Sequence, residues 1–358
     1  MKTWKAKSLI AFGLALTLLV ANAWAIVIDE LTREWKQSYE VNKDATVEIQ
    51  NKYGKVHINT WDQNKVDIKA VAYVDVDNKE KGQKLLDDIH VTMSGSADHV
   101  KAITEINCQL TGKTCNKLKI DYTISMPKSN NLVVRNKFGD VFVNALDGNC
   151  DLNVSYGTLT CGSLSGQSNV VDLSFGKAHL DKITSCKMNS RYSDIQISEV
   201  NHLDADSKYS SLQVDKTHKL YNISEYDKLV QVGQVSEARI DCKFSNHNIG
   251  RVDEYLSLKV DYGNCTVKNI PKGFDEVDID CKFGSAVIYF EDDASFQFSG
   301  SCSMGGLDFP REATNLTKES KGATTYQVSG VVGEDKAPTA RVKVSECKYG
   351  SVKLKFNP

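Results

Sequence analysis

The chain has 358 residues, of which 25% are charged, with 44 basic and 46 acidic side chains and a net charge of −2. Without Lys2, Lys5 and Lys7, which belong to a secretory signal, 41 bases face 46 acids and the balance is −5. This excludes the basic footprint that nucleic-acid binding needs and gives no pull toward anionic membranes.

Residues 1–25 read as that signal. The three lysines form its basic start, Leu9–Val20 its apolar core, and Ala23-Trp24-Ala25 a small-x-small cleavage site. The apolar run is too short to span a bilayer comfortably, and no Cys follows the cleavage site. The expectation is an exported protein of the periplasm or the cell surface, with no integral membrane segment after signal cleavage.

Residues 26–128 read as a β-rich N-terminal section. Val47, Ile49, Asn51, Tyr53, Gly54, Val56 and Ile58 form the first copy of a phrase that recurs later. Strands are expected at Val66–Val76, Ile89–Met93, Val100–Ile106 and Lys117–Met126. A short helix over Lys79–Asp88, capped by Asn78, would turn Leu85 and Leu86 inward. Cys108 and Cys115 flank a Thr-Gly-Lys-Thr turn and are the most favoured disulfide. Pro127-Lys128 marks the boundary.

Residues 129–309 repeat one phrase: apolar-x-apolar-x-small-x-[Tyr/Phe]-[Gly/Ser]-x-apolar-x-apolar. Leu203-Ala205-Ser207-Tyr209-Ser210-Leu212-Val214 is one copy, and Leu258-Val260-Tyr262-Gly263-Cys265-Val267 is another. The aromatics are Phe138, Tyr156, Phe175, Tyr192, Tyr209, Tyr226, Phe244, Tyr262 and Phe283, 17 to 21 residues apart. Met304 holds the place in a degenerate copy. A fixed period of this kind means stacked supersecondary units.

Within a copy, alternation runs at period 2, slips by one residue, and resumes. Each copy is therefore a strand, a corner and a second strand, with six apolar or small side chains turned inward. The slip is expected at the residue after the aromatic, and Gly139, Gly157, Gly176, Gly263 and Gly284 are expected to sit at strained corners with positive φ. Leucine-rich repeats need an asparagine step that is missing here. A sandwich would not repeat one corner at every second strand. The fold class is all-β: a single-chain β-solenoid, or β-helix, of about ten coils with the N-terminal section as its cap. Residues 310–338 break the rhythm as a loop or hairpin insertion, and residues 339–358 form a final coil that closes the stack.

Two stretches carry a family resemblance. One is Asn51-Lys52-Tyr53-Gly54-Lys55-Val56-His57-Ile58 followed by Thr60-Trp61-Asp62. The other is Met126-Pro127-Lys128 followed by Asn136-Lys137-Phe138-Gly139-Asp140-Val141. In these the chain resembles the bacterial exported β-strand-repeat proteins known as "putative adhesins", a domain of unknown function common in Bacteroidetes. The resemblance implies a β-solenoid in the cell envelope. It transfers no binding residue.

Candidates for chemistry are few. Ten cysteines in an exported chain suggest disulfides, but eight of them occupy inward places of the phrase and read as small buried hydrophobes. Cys281 and Cys302 could be neighbours in the stack. No C-x-x-C, H-x-H or H-x-x-x-H motif exists for a metal or redox site. His247 falls in an inward column and reads as a hydrogen-bonded core histidine. Glu291-Asp292-Asp293 reads as a turn. Acid and base stand three and one before the aromatic in Asp206/Lys208, Asp241/Lys243, Asp280/Lys282 and Glu346/Lys348, which reads as a solvated face.

The sequence thus points to a non-catalytic, secreted, adhesin-like repeat protein of the cell envelope. It has no catalytic, metal or cofactor residues and no cofactor. Its partner is an unknown surface glycan or protein. The alternative is a carbohydrate-active β-helix enzyme, a polysaccharide lyase or hydrolase, which would need convergent acids and bases on one face.

Overall fold

The computed structural model describes residues 30–75, 78–107 and 118–357. The signal segment and the Cys108–Cys115 pair lie outside the described residues. The described residues are all-β, with 72% of them in strands, one α-helix and a single open mixed sheet of 26 strands.

Copies of the phrase pair with one another in parallel and in register. Ala205 lies between Met188 and Asn222, and Leu212 lies between Ile195 and Val230. Two rows of strands result, one before each corner and one after it. In the middle of the chain, strands such as Lys177–Arg191 and Asp194–Lys208 run through both rows without a break. Alternation buries Leu203, Ala205 and Ser207 before a corner and Leu212 and Val214 after it. Each fully buried aliphatic side chain contributes about 1.5–3 kcal/mol, and no single copy could bury them alone.

The corners differ from expectation. The left-handed residue is the aromatic itself. Tyr53, Phe138, Tyr156, Phe175, Tyr192, Tyr209, Tyr226, Phe244, Tyr262, Phe283 and Tyr349, with Met304, all have φ of 51–63°. None of the five glycines after them has positive φ; among the described glycines only Gly273 and Gly333 do. Those corner glycines answer a different need. The residue after the aromatic points inward against the neighbouring copy. A Cβ on Gly157 would stand 2.1 Å from the Gly139 carbonyl oxygen, and one on Gly139 would stand 1.9 Å from that of Gly54. The constraint is close approach of backbones, not torsion.

Where the corner holds Ser or Asp, the side chain bonds to its neighbours. Ser210 Oγ accepts from Ser193 N at 3.2 Å and donates to Lys208 O at 2.9 Å. Ser245 Oγ does the same between Asp227 N and Lys243 O, at 2.9 Å each. Asp227 has no proton to donate when ionised. It accepts from Ser210 N at 2.7 Å and from the Ser207 hydroxyl.

Both ends of the stack are threaded out of sequence order. At the front, His99–Ile106 lies parallel on Thr46–Lys52, and Leu118–Pro127 lies parallel on Val56–Trp61. Lys65–Asp75 and then Glu30–Glu40 continue antiparallel from there. The helix is Lys79–Asp87. Asn78 caps it by accepting from Lys81 N at 3.0 Å, and Leu85 and Leu86 are buried.

At the back, the last copy does not close the stack. Arg341–Lys348 pairs in parallel with both Glu276–Lys282 and Phe296–Ser303. The copy carrying Tyr349 is therefore inserted between those of Phe283 and Met304. The outer side of the Met304 copy is covered by an antiparallel hairpin, Thr314–Lys321 and Thr325–Val332. The outermost strand of that hairpin carries Lys318, Glu319 and Lys321, charges that discourage pairing with another sheet edge.

Gly157→Ala is expected to lower stability by about 1–3 kcal/mol through overpacking against the Gly139 carbonyl. Ser210→Gly removes only hydrogen bonds and is expected to cost about 0.5–1.5 kcal/mol. Urea midpoints check the order. An unchanged midpoint for Gly157→Ala would remove close approach as the reason for the corner glycines.

Candidate interaction surface

The left-handed corner turns its aromatic outward. Six positions of a copy turn inward, as Leu203, Ala205, Ser207, Ser210, Leu212 and Val214 do, and the ring is not one of them: the rings from Phe138 to Tyr349 are 38–53% exposed. They stack on one another in the order of the sheet: Tyr53, Phe138, Tyr156, Phe175, Tyr192, Tyr209, Tyr226, Phe244, Tyr262, Phe283 and Tyr349. Successive ring centroids are 4.7–5.2 Å apart, with interplanar angles of 2–23°. The result is a straight ridge about 50 Å long.

A non-glycine residue in this conformation costs roughly 1–2 kcal/mol. Two interactions offset it. Each aromatic pair contributes roughly 0.5–1.5 kcal/mol beyond burial. Each aromatic N–H donates to the carbonyl that precedes the next corner, as in Tyr192 N to Lys208 O at 3.1 Å and Phe283 N to Lys348 O at 3.0 Å. Stacking uses up the ring faces, so the ridge shows solvent their edges and the tyrosine hydroxyls.

One flank of the ridge is charged. Its ion pairs run mainly between copies: Arg135–Asp151 at 2.5 Å, Arg191–Asp206 at 3.1 Å, Lys208–Glu225 at 2.9 Å and Lys282–Glu346 at 2.9 Å. Of the same-copy pairs expected from sequence, Asp280–Lys282 forms at 3.7 Å. The reason is distance. Two residues along a strand are roughly 6.6 Å apart, whereas adjacent strands are about 4.8 Å apart. Glu225 beside Lys208 raises the pKa of that ammonium, and Lys208 lowers that of the carboxylate. Lys208 also stands over the rings of Tyr209 and Tyr226, 5.9 Å from each.

On the other flank one outward column carries no charged residue over ten copies. Four residues after each aromatic, or five after Tyr226, the outward column reads His57, Phe142, Thr160, His179, Gln196, Gln213, Gln231, Asn248, Thr266 and Val287 in stack order. Only beyond these does Lys353 follow. His57 stacks on Phe142 at 4.5 Å, and His179 Nδ1 meets Gln196 Oε1 at 3.1 Å. The sequence reading missed this column and the outward ridge. Aligning the copies at the fourth residue after the aromatic would have exposed the uncharged run.

The buried polar groups serve the stack. His247 is fully buried. Its Nε2 meets Asn222 Oδ1 at 2.9 Å and Ser224 Oγ at 3.3 Å, while Nδ1 has no partner. Burial holds its pKa down to about 3. Burial also raises the Asp227 carboxyl. The eight described cysteines are free and buried, and burial pushes the thiols of Cys150 and Cys242 up to about 12. Cys281 and Cys302 are not adjacent, because Cys347 of the inserted copy lies between them. Glu291 lies at a turn, where it braces Arg251 at 3.0 Å and Lys272 N at 3.2 Å. A surface groove of about 390 Å³ is lined by His202, Asp204, Lys219, Tyr221, Glu237 and Arg239, with Lys219 and Glu237 paired at 2.9 Å. Among the described residues, no group of three or more His, Cys, Asp or Glu side chains could hold a metal, and no helix is long and apolar enough to cross a membrane.

No protein-family model and no curated relative matches the chain. Among solved structures it is similar to a "putative cell adhesion protein" from Clostridium sporogenes, at 10% identity and a TM-score of 0.20, covering 91% of this chain and 100% of the other. A "putative adhesin" from Bacteroides fragilis follows at 10% and 0.28, covering 91% and 97%. A "putative lipid binding protein" from Parabacteroides distasonis stands at 11% and 0.26, with the same coverage. Two of these three carry adhesion names, in line with the motif resemblance. At such values the likeness establishes neither a shared fold nor a role.

Two outcomes test the geometry. At Tyr209, glycine is expected to be more stable than alanine by roughly 1 kcal/mol, the reverse of their usual order in a strand, because glycine relieves the left-handed strain. Thermal midpoints of the two variants decide it; alanine above glycine would refute the strain.

His247 gives a pH signature. Its folded pKa lies below the ordinary value of 6.5, so the unfolded chain takes up the proton first. Its contribution is fully present above pH 6.5 and is lost as pH falls toward about 3, by up to about 1.4 kcal/mol per unit. Asp227, raised by burial, has the opposite sign. His247→Leu is expected to flatten the loss of stability between pH 6.5 and 4, measured by urea unfolding at each pH. An unchanged slope would remove the buried neutral imidazole from the account.

Proposed function

We propose that this chain is a non-catalytic, exported envelope protein of adhesin type. On this reading the stacked copies form a β-solenoid with one coil per left-handed corner. Residues up to 128 cap one end, and residues 310–338 cover the other. Its work is done by the long outer surface.

The observation that carries this reading is the ridge. Strained non-glycine residues cluster where function requires them, and here the same strain recurs at every corner to hold an aromatic side chain, or in one copy methionine, at the surface. Glycine or asparagine would make the same corner at less cost. An extended row of identical groups suits repeated weak contacts with an extended partner. The acids and bases point the same way. Those of the charged flank are largely committed to one another, and the buried Asp227 is committed to the corner ladder.

The test is a binding array of surface glycans and matrix proteins probed with the full chain, together with an assay for sugar release. Retention on at least one array member with no turnover is expected. In a Lys208→Glu, Lys243→Glu, Lys282→Glu variant the fold should persist, at roughly 0–1 kcal/mol for each pair reversed. Its association with acidic partners should slow, and that with uncharged partners should not change. A single outward side chain whose alanine variant abolishes turnover of a polysaccharide would overturn the proposal in favour of an enzyme.

A further inference from the structure

The two flanks of the ridge are chemically opposed. On the charged flank, acids and bases in neighbouring copies neutralise each other at 2.5–3.1 Å. On the other flank, ten successive outward residues from His57 to Val287 include no Asp, Glu, Lys or Arg, in a chain where 25% of residues are charged. Its centre, His179, Gln196, Gln213, Gln231 and Asn248, is exposed. An exposed strand face in water has no folding reason to avoid charge, and here the avoidance is confined to one column.

The hydrogen-bonding capacity of this column is not used up by the protein. Gln196 meets His179, and Gln213 donates to Asp215 at 3.1 Å. Gln231 and Asn248 make no side-chain hydrogen bond. Each primary amide offers two donors and one acceptor oxygen. In-register pairing sets these amides about 4.8 Å apart along a straight line. Lys177, Asp194, Ser211 and Lys228 stand between this line and the ridge, and with the glutamines they line a shallow groove of about 350 Å³.

We infer that this flank binds a linear, uncharged polysaccharide lying along the stack, with Gln196, Gln213 and Gln231 bonding its hydroxyls. An uncharged row of donors and acceptors complements a polymer that is itself uncharged and rich in hydroxyls. An acidic polymer would meet only Lys177 and Lys228 beside this column, with Asp194 between them, and would select a continuous basic column instead. The repeat along the row is about the length of one sugar ring, so successive sugars can meet successive amides. Each contact is weak, and many in line supply the affinity through multivalency. The inference rests on the proposed adhesive role and adds the partner's class and the face that meets it.

The test is affinity electrophoresis of the full chain in gels containing hydroxyethylcellulose or soluble starch as uncharged glucans, or polygalacturonate as an acidic polysaccharide. Retardation by at least one glucan is expected, unchanged between low and 0.5 M salt. A Gln196→Ala, Gln213→Ala, Gln231→Ala variant should lose that retardation at least tenfold. The matching Gln→Thr variant, with higher strand propensity, guards against misfolding and should also lose most of it. The triple lysine reversal should leave it unchanged. Salt-sensitive retardation by polygalacturonate alone, or glucan binding that survives both glutamine variants, would overturn the inference. So would retention on the array only by a protein with no glucan retardation, while the adhesive role would still stand. No retention on any array member would sink the adhesive role and the inference together.

Discussion

The structure depends on one backbone contact. At eleven corners the left-handed aromatic donates its N–H to the carbonyl just before the next corner of the stack, at 2.9–3.2 Å, and at the twelfth Met304 donates to Thr324 O of the covering hairpin at 2.7 Å. That bond fixes the rise from one copy to the next. It also fixes the slip of one residue that lets both strands of a copy point apolar side chains at the same core. A strand that kept strict alternation through the corner would expose one of its two apolar sets. The left-handed residue absorbs the extra step, as the additional residue does in a bulge.

Everything outside the core follows from that corner. Because the residue at the step points outward, whatever stands there forms a continuous ridge. Because the residue after it points inward against a neighbouring carbonyl, it is restricted to Gly, Ser or Asp, and the last two continue the ladder with their own oxygens. The same spacing governs charge. Neighbouring copies are closer than alternate residues of one strand, so acids and bases on the outer face find partners across copies. One flank is thereby neutralised by pairs, while the other carries one column that is uncharged by composition.

The inward small positions show how tolerant the interior is of chemistry as long as volume and bonding are met. The place two before the corner holds Asn136, Ser207, Ser224, Cys242, Cys281 and Cys347 in different copies, all buried. Asparagine and serine bond there to backbone or to His247. The cysteines behave as small apolar groups whose thiols burial keeps protonated. The wide end of the stack is filled by Phe274, Phe290 and Phe296, whose rings lie 4.7–5.9 Å apart.

The sequence by itself determined the all-β class, the period, the inward columns including Cys242 and His247, and the helix start at Asn78. Each of these rests on local alternation or a local cap, and both are written in consecutive residues. It did not determine on which side of the step the aromatic falls. Alternation before Tyr209 and after Ser210 is the same whether the extra residue is the tyrosine or the serine, so only the backbone torsion decides. Nor did it determine the order of the stack. Copies with the same period fit one another equally well, and Val342–Leu354 reads as a final copy. Tertiary packing instead inserts it between the Phe283 and Met304 copies, where its strands are paired on both sides and Cys347 is buried. The row of amides beside the ridge was present in the sequence as single glutamines. Only in-register stacking, which puts Gln196, Gln213 and Gln231 side by side from positions 17 and 18 residues apart, makes them one surface.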